Sequence, residues 1–276
     1  AEGKTAVLTE DVTVDTIPVN EEGDTAIVLG GNTLTTNQTG RITAASGKTI
    51  SISDGTIIAN GTDGSGTASI LYAEAGGKIE LTGVTLETNG TGVLAEGKDA
   101  TVEVRNSHIT ALGFCVSSNA RNESTHGINI RIENSVLESE HVNGYCGSAV
   151  MMNVPGTLYI ENSTIIGENN AVLARGGNVT IVGSKLFRPY VVEGADESSY
   201  YMYKDWDNGN FVPMATLLVG NRSASAYQYP VSVTLENCTI TSSAAGAKTV
   251  YLYGNATKEN GATLTYDAAT VIAPAD

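Results

Sequence analysis

Aromatic rings and carboxylates crowd together at one place in the chain, Asp205-Trp206-Asp207, within residues 187–230. That stretch holds Phe187, Tyr190, Tyr200, Tyr201, Tyr203, Trp206, Phe211, Tyr227 and Tyr229, nine of the chain's aromatics (1 Trp, 12 Tyr and 3 Phe in all). Aromatic faces bind the apolar face of a sugar ring, and nearby carboxylates accept from its hydroxyls. Tyr190, Tyr200, Tyr201, Tyr203, Asp205, Trp206 and Asp207 are therefore the candidate ligand-binding residues. The same rings have a competing use: aromatics also staple a long loop onto its support.

Other chemistry-bearing patterns are weaker. Asp205, Asp207 and Gly209 approximate a calcium loop, but the glycine falls one place early and no bidentate Glu follows at the required distance. Gly90-x-Gly92-x-x-Ala95 and Gly92-x4-Gly97-Lys98 imitate phosphate loops, yet the second ends in Asp99 and neither opens a helix. His108, His126 and His141 lack metal-ligand spacing, and no Gly-x-Ser-x-Gly occurs. No catalytic residue, metal site or cofactor is expected. Cys115, Cys146 and Cys238 are too few to hold the fold together; a Cys115–Cys146 bridge stays open, and Cys238 reads as a buried spectator thiol.

Charge narrows the partners. Thirty acids against 15 bases give −15, which repels nucleic-acid phosphates and anionic membrane surfaces. No run approaches the ~18 apolar residues of a membrane span. The start, Ala1-Glu2-Gly3-Lys4, lacks a signal-peptide apolar region, so any leader is expected to have been removed.

What positions the candidate residues is a repeat. An eight-residue phrase, apolar-x-apolar-x-(Asn/Asp/Gly)-small-x-apolar, begins at Ile27, Ile50, Ile79, Val102, Ile130, Leu158, Val179, Val233 and Leu264. Its turn residues fall at 31, 54, 83, 106, 134, 162, 183, 237 and 268. The spacing is too uneven for propeller blades, and no helical period fills the gaps. Short strands that stack copy on copy, with corners that absorb insertions, fit it. The reading is an all-β, single-domain parallel β-helix of about nine to ten coils, roughly 40 Å long at about 4.8 Å per coil.

Several finer expectations follow. The turn residue takes the left-handed conformation, and Asn106, Asn134, Asn162 and Asn237 stack as a ladder. The next residue is inward and small: Ser107, Ser135, Ser163, Ser184, Cys238. His108 shares an outward column with Thr33, Thr56, Thr85, Thr164, Thr239 and Thr270. A second strand per coil appears in Ile70-Leu71-Tyr72, Val150-Met151-Met152 and Leu217-Leu218-Val219. Stacked copies place Glu103 beside Arg131 and Arg105 beside Glu133. Residues 1–20 cover the open N-terminal end, and 21–276 form the solenoid with an irregular aromatic-rich insertion at 187–230.

The lines KTISISDGTI, GTGVLAEGKDATVEVRNSHIT and GTLYIENSTIIGENNAVLARGGNVTIVGS resemble the right-handed parallel β-helix repeats of secreted and surface-anchored bacterial proteins of the pectate-lyase-like superfamily, many of them adhesin-like. The resemblance covers nearly all of the chain outside 187–230 and implies the fold more than the function. The enzymes' motifs do not carry over: Thr125-His126-Gly127 and Arg131-Ile132-Glu133 occur without the aspartate pair of the polygalacturonases. The expected role is a non-catalytic adhesin-like module, secreted or on the cell surface, with a polysaccharide or host glycan as partner. A β-helix lyase or glycoside hydrolase and a structural spacer are the alternatives.

Overall fold

The computed structural model describes residues 3–17, 23–37, 41–60, 69–119, 125–140, 148–188, 202–204, 211–213, 215–220, 229–243, 248–253 and 261–273. Strands account for the regular structure, and no helix occurs among these residues. Among the described residues all strand pairings but one are parallel, and each parallel pairing joins one copy of the repeat to the next.

The pairings form three columns. First halves of the phrase build the first, which runs from Lys4–Val7 through Lys78–Thr88, Thr101–Arg105, Ile128–Glu133 and Gly156–Glu161 to Ala262–Tyr266. Second halves build the second, from Val12–Val14 through His108–Ala111, Val136–Ser139 and Lys185–Arg188 to Val271–Ala273. Thr49–Ala59 and Lys78–Thr88 run unbroken through both, which unites the two columns in one 18-stranded sheet. The third column is a separate eight-stranded sheet from Ile42–Ala44 to Lys248–Tyr253. The arrangement is compatible with a parallel β-helix.

Alternation of apolar and polar residues decides which face is inside. Ile52, Leu81, Val104, Ile132 and Ile160 are register partners in successive strands, each at most 1% exposed. Every such side chain contributes on the order of 1.5–3 kcal/mol by leaving water.

The corners between the first and second columns follow from two residue types. Asp54, Asn106, Asn134, Asn162 and Asn237 have φ between 48° and 61°, and glycines at 31, 83 and 183 are also positive. Asn and Asp tolerate this left-handed state better than other side chains bearing a Cβ. The serines that follow are buried and linked copy to copy. The amides of Val84, Ser107, Ser135 and Ser163 donate to the hydroxyls of Ser107, Ser135, Ser163 and Ser184 at 3.0–3.1 Å. Each hydroxyl in turn donates to the carbonyl two residues back, at 2.7–2.8 Å. A larger side chain there would break the ladder and leave buried polar groups unpaired.

Two copies depart from the expected register. Thr25, not Ile27, pairs with Ile50, while Leu34 still pairs with Ile57. Leu29-Gly30-Gly31-Asn32 therefore spans a corner that Asp54-Gly55 spans in the next copy, and Gly30 and Gly31 both take positive φ to do so. In the last copy Tyr266 pairs with Leu235 but Val271, not Thr270, with Thr239. One extra residue sits at that corner, and Ala268 is not left-handed. Asp267 there accepts the Asn237 amide at 3.1 Å, and Thr270 Oγ1 accepts the Cys238 amide at 3.2 Å. The column shared with His108 accordingly contains Val136, Lys185 and Val271 as well as threonines. Lys4–Val7 and Val12–Val14, from the segment expected to close the N-terminal end, are the outermost members of their columns among the described residues.

Candidate functional site

In five successive copies the corner between the first and second columns keeps one length. Asn106-Ser107, Asn134-Ser135, Asn162-Ser163, Gly183-Ser184 and Asn237-Cys238 are two residues each. The long segments between strands adjoin the third column in sequence: residues 60–68, 119–127, 140–147, 189–214 and 221–230 separate it from its neighbours. Variation in loop length is tolerated where chain can leave the stack without disturbing a ladder.

The third column also differs in burial. Ser69–Ala73, Ser148–Met152, Asn170–Ala174 and Ala215–Gly220 are buried at every position, so both faces of these strands are covered. Val150, Val172 and Leu217 point to the main core, while Met151, Leu173 and Leu218 form a second apolar cluster with Ala215, against which Phe114 and Tyr251 pack. Further along that outer face Tyr72 is 2% exposed; its hydroxyl donates to Glu96 Oε2 at 2.6 Å and Arg41 lies 4.4 Å above its ring.

The aromatic-rich insertion leaves the second column after Arg188 and enters the third at Ala215. Within it Met202–Lys204 pairs with Phe211–Pro213, the one antiparallel pairing among the described residues, with Tyr203 opposite Val212. Phe211–Pro213 lies against Lys248–Tyr253 of the third column. Tyr203 is thus placed by its backbone in a strand. Tyr190, Tyr200, Tyr201, Asp205, Trp206 and Asp207 lie outside the described residues, and segment 205–210 joins the two paired strands in sequence.

Sequence reading missed a groove of about 380 Å³ at the corner from the third column into the first, lined in part by Pro155, Gly177, Asn178, Pro230, Ser232 and Thr263. Ser232 Oγ donates to Asn178 Oδ1 at 2.7 Å. Proline rings give apolar walls, and the amide and hydroxyls offer donors and acceptors, a mixture suited to a small polyhydroxylated ligand. A signal existed: Pro155 and Pro230 each stand three residues before the first apolar position of their phrase.

The outward face of the first column is an ion-pair strip. Glu103 is opposite Arg131 and Arg105 opposite Glu133, as expected; the second pair is in direct contact, and the other contacts run along a strand or diagonally between strands. Lys78 Nζ reaches Glu80 at 2.6 Å and Glu103 at 2.8 Å. Arg105 bonds Glu103 and, at 2.9 Å, Glu133. Arg131 bonds Glu133, approaches Glu161 at 3.8 Å and lies over the Tyr159 ring at 4.4 Å. For Glu103, burial pushes the carboxyl up, but hydrogen bonds from Lys78 and Arg105 outweigh it and hold the pKa below its ordinary value. Glu133 is held low chiefly by the Arg131 hydrogen bond. Carboxylates held ionised in this way are poor proton donors.

The remaining motifs have structural explanations. Gly92 lies in Thr91–Ala95, where a Cβ would sit 2.6 Å from the Cys115 carbonyl, and a Cβ at Gly97 would strike the Ala75 amide at 2.0 Å. His126 is exposed, and its carbonyl accepts the Asp99 amide at 2.9 Å. His108 is also exposed and meets Glu138 at 2.9 Å. Cys115 and Cys238 are free, buried thiols whose pKa values burial pushes up; Cys146 lies outside the described residues. Among the described residues no three His, Cys, Asp or Glu side chains cluster as metal ligands. No protein-family model, curated protein or solved structure matches the chain.

Proposed function

We propose that the chain is a right-handed parallel β-helix of the pectate-lyase-like type, with about nine to ten coils. We propose further that it serves as a non-catalytic, adhesin-like glycan-binding module of a bacterial cell surface or secretome. The carrying observation is a coincidence of breaks. The segment that interrupts the repeat contains the one antiparallel strand pair among the described residues, and the residues joining those strands include Asp205-Trp206-Asp207. An aromatic, acidic segment that interrupts a regular stack in sequence suits binding of a polyol surface. The groove beside Pro230 and Ser232, which follows the same insertion in sequence, offers hydroxyl and amide groups of its own.

Glu103 and Glu133 give the catalytic alternative no support, because their ion pairs displace the carboxyl pKa downward and a general acid needs it raised. The test is a glycan array. The wild-type chain is expected to bind at least one class of polysaccharide or host glycan, and Trp206→Ala and Tyr201→Ala should each weaken that binding about tenfold, the loss of one ring contact. A wild type that binds nothing, or variants that bind undiminished, would end the reading. Unsaturated, ultraviolet-absorbing products from uronate polymers would overturn its non-catalytic part.

A further inference from the structure

Three successive copies enter the first column through Pro155-Gly156, Gly176-Gly177 and Pro230-Val231, since Thr157 pairs with Asn178 and Gly177 with Val231. Two proline rings therefore stand about 10 Å apart along the stack, with a pair of glycines between them. Gly177 cannot carry a side chain: its φ is 75°, and a Cβ there would lie 2.5 Å from the Gly156 carbonyl oxygen. The gap belongs to the groove of about 380 Å³, and every residue that lines it is among the described residues. Outward side chains continue it as a polar edge. Asn178, Ser232 and Thr263 are register partners on successive strands, and Thr180, Thr234 and Thr265 repeat the pattern two residues on. Ser232 Oγ donates to Asn178 Oδ1 at 2.7 Å, which leaves the Asn178 amide to donate and the Ser232 oxygen to accept. Thr263 is exposed, and a hydroxyl can do both. The lining holds no ionisable side chain, whereas the same outward positions in earlier copies carry Lys78, Glu80, Glu103 and Arg131.

We infer that this groove is a contact site for an uncharged saccharide, held between the two prolines with its hydroxyls on Asn178, Ser232 and Thr263. The inference rests on the glycan-binding reading and adds to it a contact surface outside the insertion and the charge of the ligand. A metal ion finds no carboxylate in the lining. An anionic sugar finds no cation to replace its lost water, in a chain whose net charge is −15. A wholly apolar ligand would strip water from the Asn178 amide and the Thr263 hydroxyl without pairing them. A neutral pyranose meets both demands: its C–H faces lie on the proline rings while its hydroxyls donate and accept. The volume stands at the lower end of the ~300–1,000 Å³ range of small-molecule sites, so the groove holds a short stretch of a longer chain.

Affinity electrophoresis of the 276-residue chain in glucan, mannan and galactan, with polygalacturonate as the charged counterpart, decides it. The wild type is expected to bind at least one of the neutral polymers. Asn178→Ala should weaken that binding about tenfold, the loss of one hydrogen-bonding group, and Thr263→Phe, which fills the groove from an exposed position, at least as much. Circular dichroism and thermal midpoint should stay those of the wild type in both. Trp206→Ala separates this site from the insertion. If it leaves neutral binding intact while the groove variants weaken it, the inference stands and the insertion loses its role. Neutral binding that Trp206→Ala weakens and both groove variants leave unchanged overturns the inference and spares the insertion. Binding to polygalacturonate alone, or to none of the four polymers, also overturns it.

Discussion

The first and third columns are built from the same parallel pairing and are buried in opposite ways. In the first, alternate residues face water and are zipped by Lys78, Glu103, Arg105, Glu133 and Arg131 across successive strands. In the third, Leu173 and Leu218 point away from the main core and are still 0% exposed. A strand covered on both sides gains apolar burial twice but gives up its solvent face. Strands of the first column gain burial once and keep a polar face whose charged pairs contribute little. The difference teaches where a coiled stack can add function: the long segments between strands adjoin in sequence the column already covered, and none falls at the corner between the first two columns.

The comparison breaks most decisively at Leu173. Because Leu173 is buried away from water, Leu173→Asp should cost about 3–5 kcal/mol, as much as Ile132→Asp inside the main core. Denaturant midpoints measure both, and a cost for Leu173→Asp nearer to that of a surface change would mean the third column's outer side is not packed. An intermediate effect belongs to the corner between the first two columns. Ser135→Ala removes the acceptor of the Ser107 amide and the donor to the Glu133 carbonyl, and should cost about 1–3 kcal/mol. Ser135→Thr should not restore it if the extra methyl finds no room.

The smallest effect belongs to the strip. Arg105→Ala should cost less than about 1 kcal/mol, and less still in 1 M salt. Its pH dependence has a definite sign. Glu103 and Glu133 sit below the ordinary 4.5 in the folded chain, so their contribution is complete above 4.5 and is lost as pH falls through the folded values. Glu133→Gln should flatten that acid limb in thermal unfolding from pH 6 downward to about pH 3.

The inward positions of the regular copies were legible because strand alternation has a strict period of two, and the positive φ at Asn106, Asn134, Asn162 and Asn237 follows from what Asn and Asp tolerate better than other side chains bearing a Cβ. Register at Ile27 and Thr270 was not legible. An apolar pattern says which residues point inward but not how many residues a corner contains, and Leu29 or Val271 satisfied the pattern in the wrong frame. Double burial of the third column showed only as short apolar runs such as Val150-Met151-Met152, which carry no period from which a face can be assigned. Of the candidate binding residues, only the backbone of Tyr203 falls among the described residues. The Pro155–Pro230 groove escaped notice because its walls come from copies 75 residues apart and only stacking brings them together.

A ladder of near-identical rungs faces a hazard that its regularity creates: one rung can thread onto the wrong neighbour and keep every apolar contact. The uneven corners at the two extremes remove that freedom. The amide of Gly31 reaches the Asp54 carbonyl at 2.6 Å only when the lengthened Leu29–Asn32 bend lies over Asp54, and Thr270 replaces the missing serine only for Cys238. The irregular rungs thereby number the regular ones, and the folding chain has a unique frame in which to count.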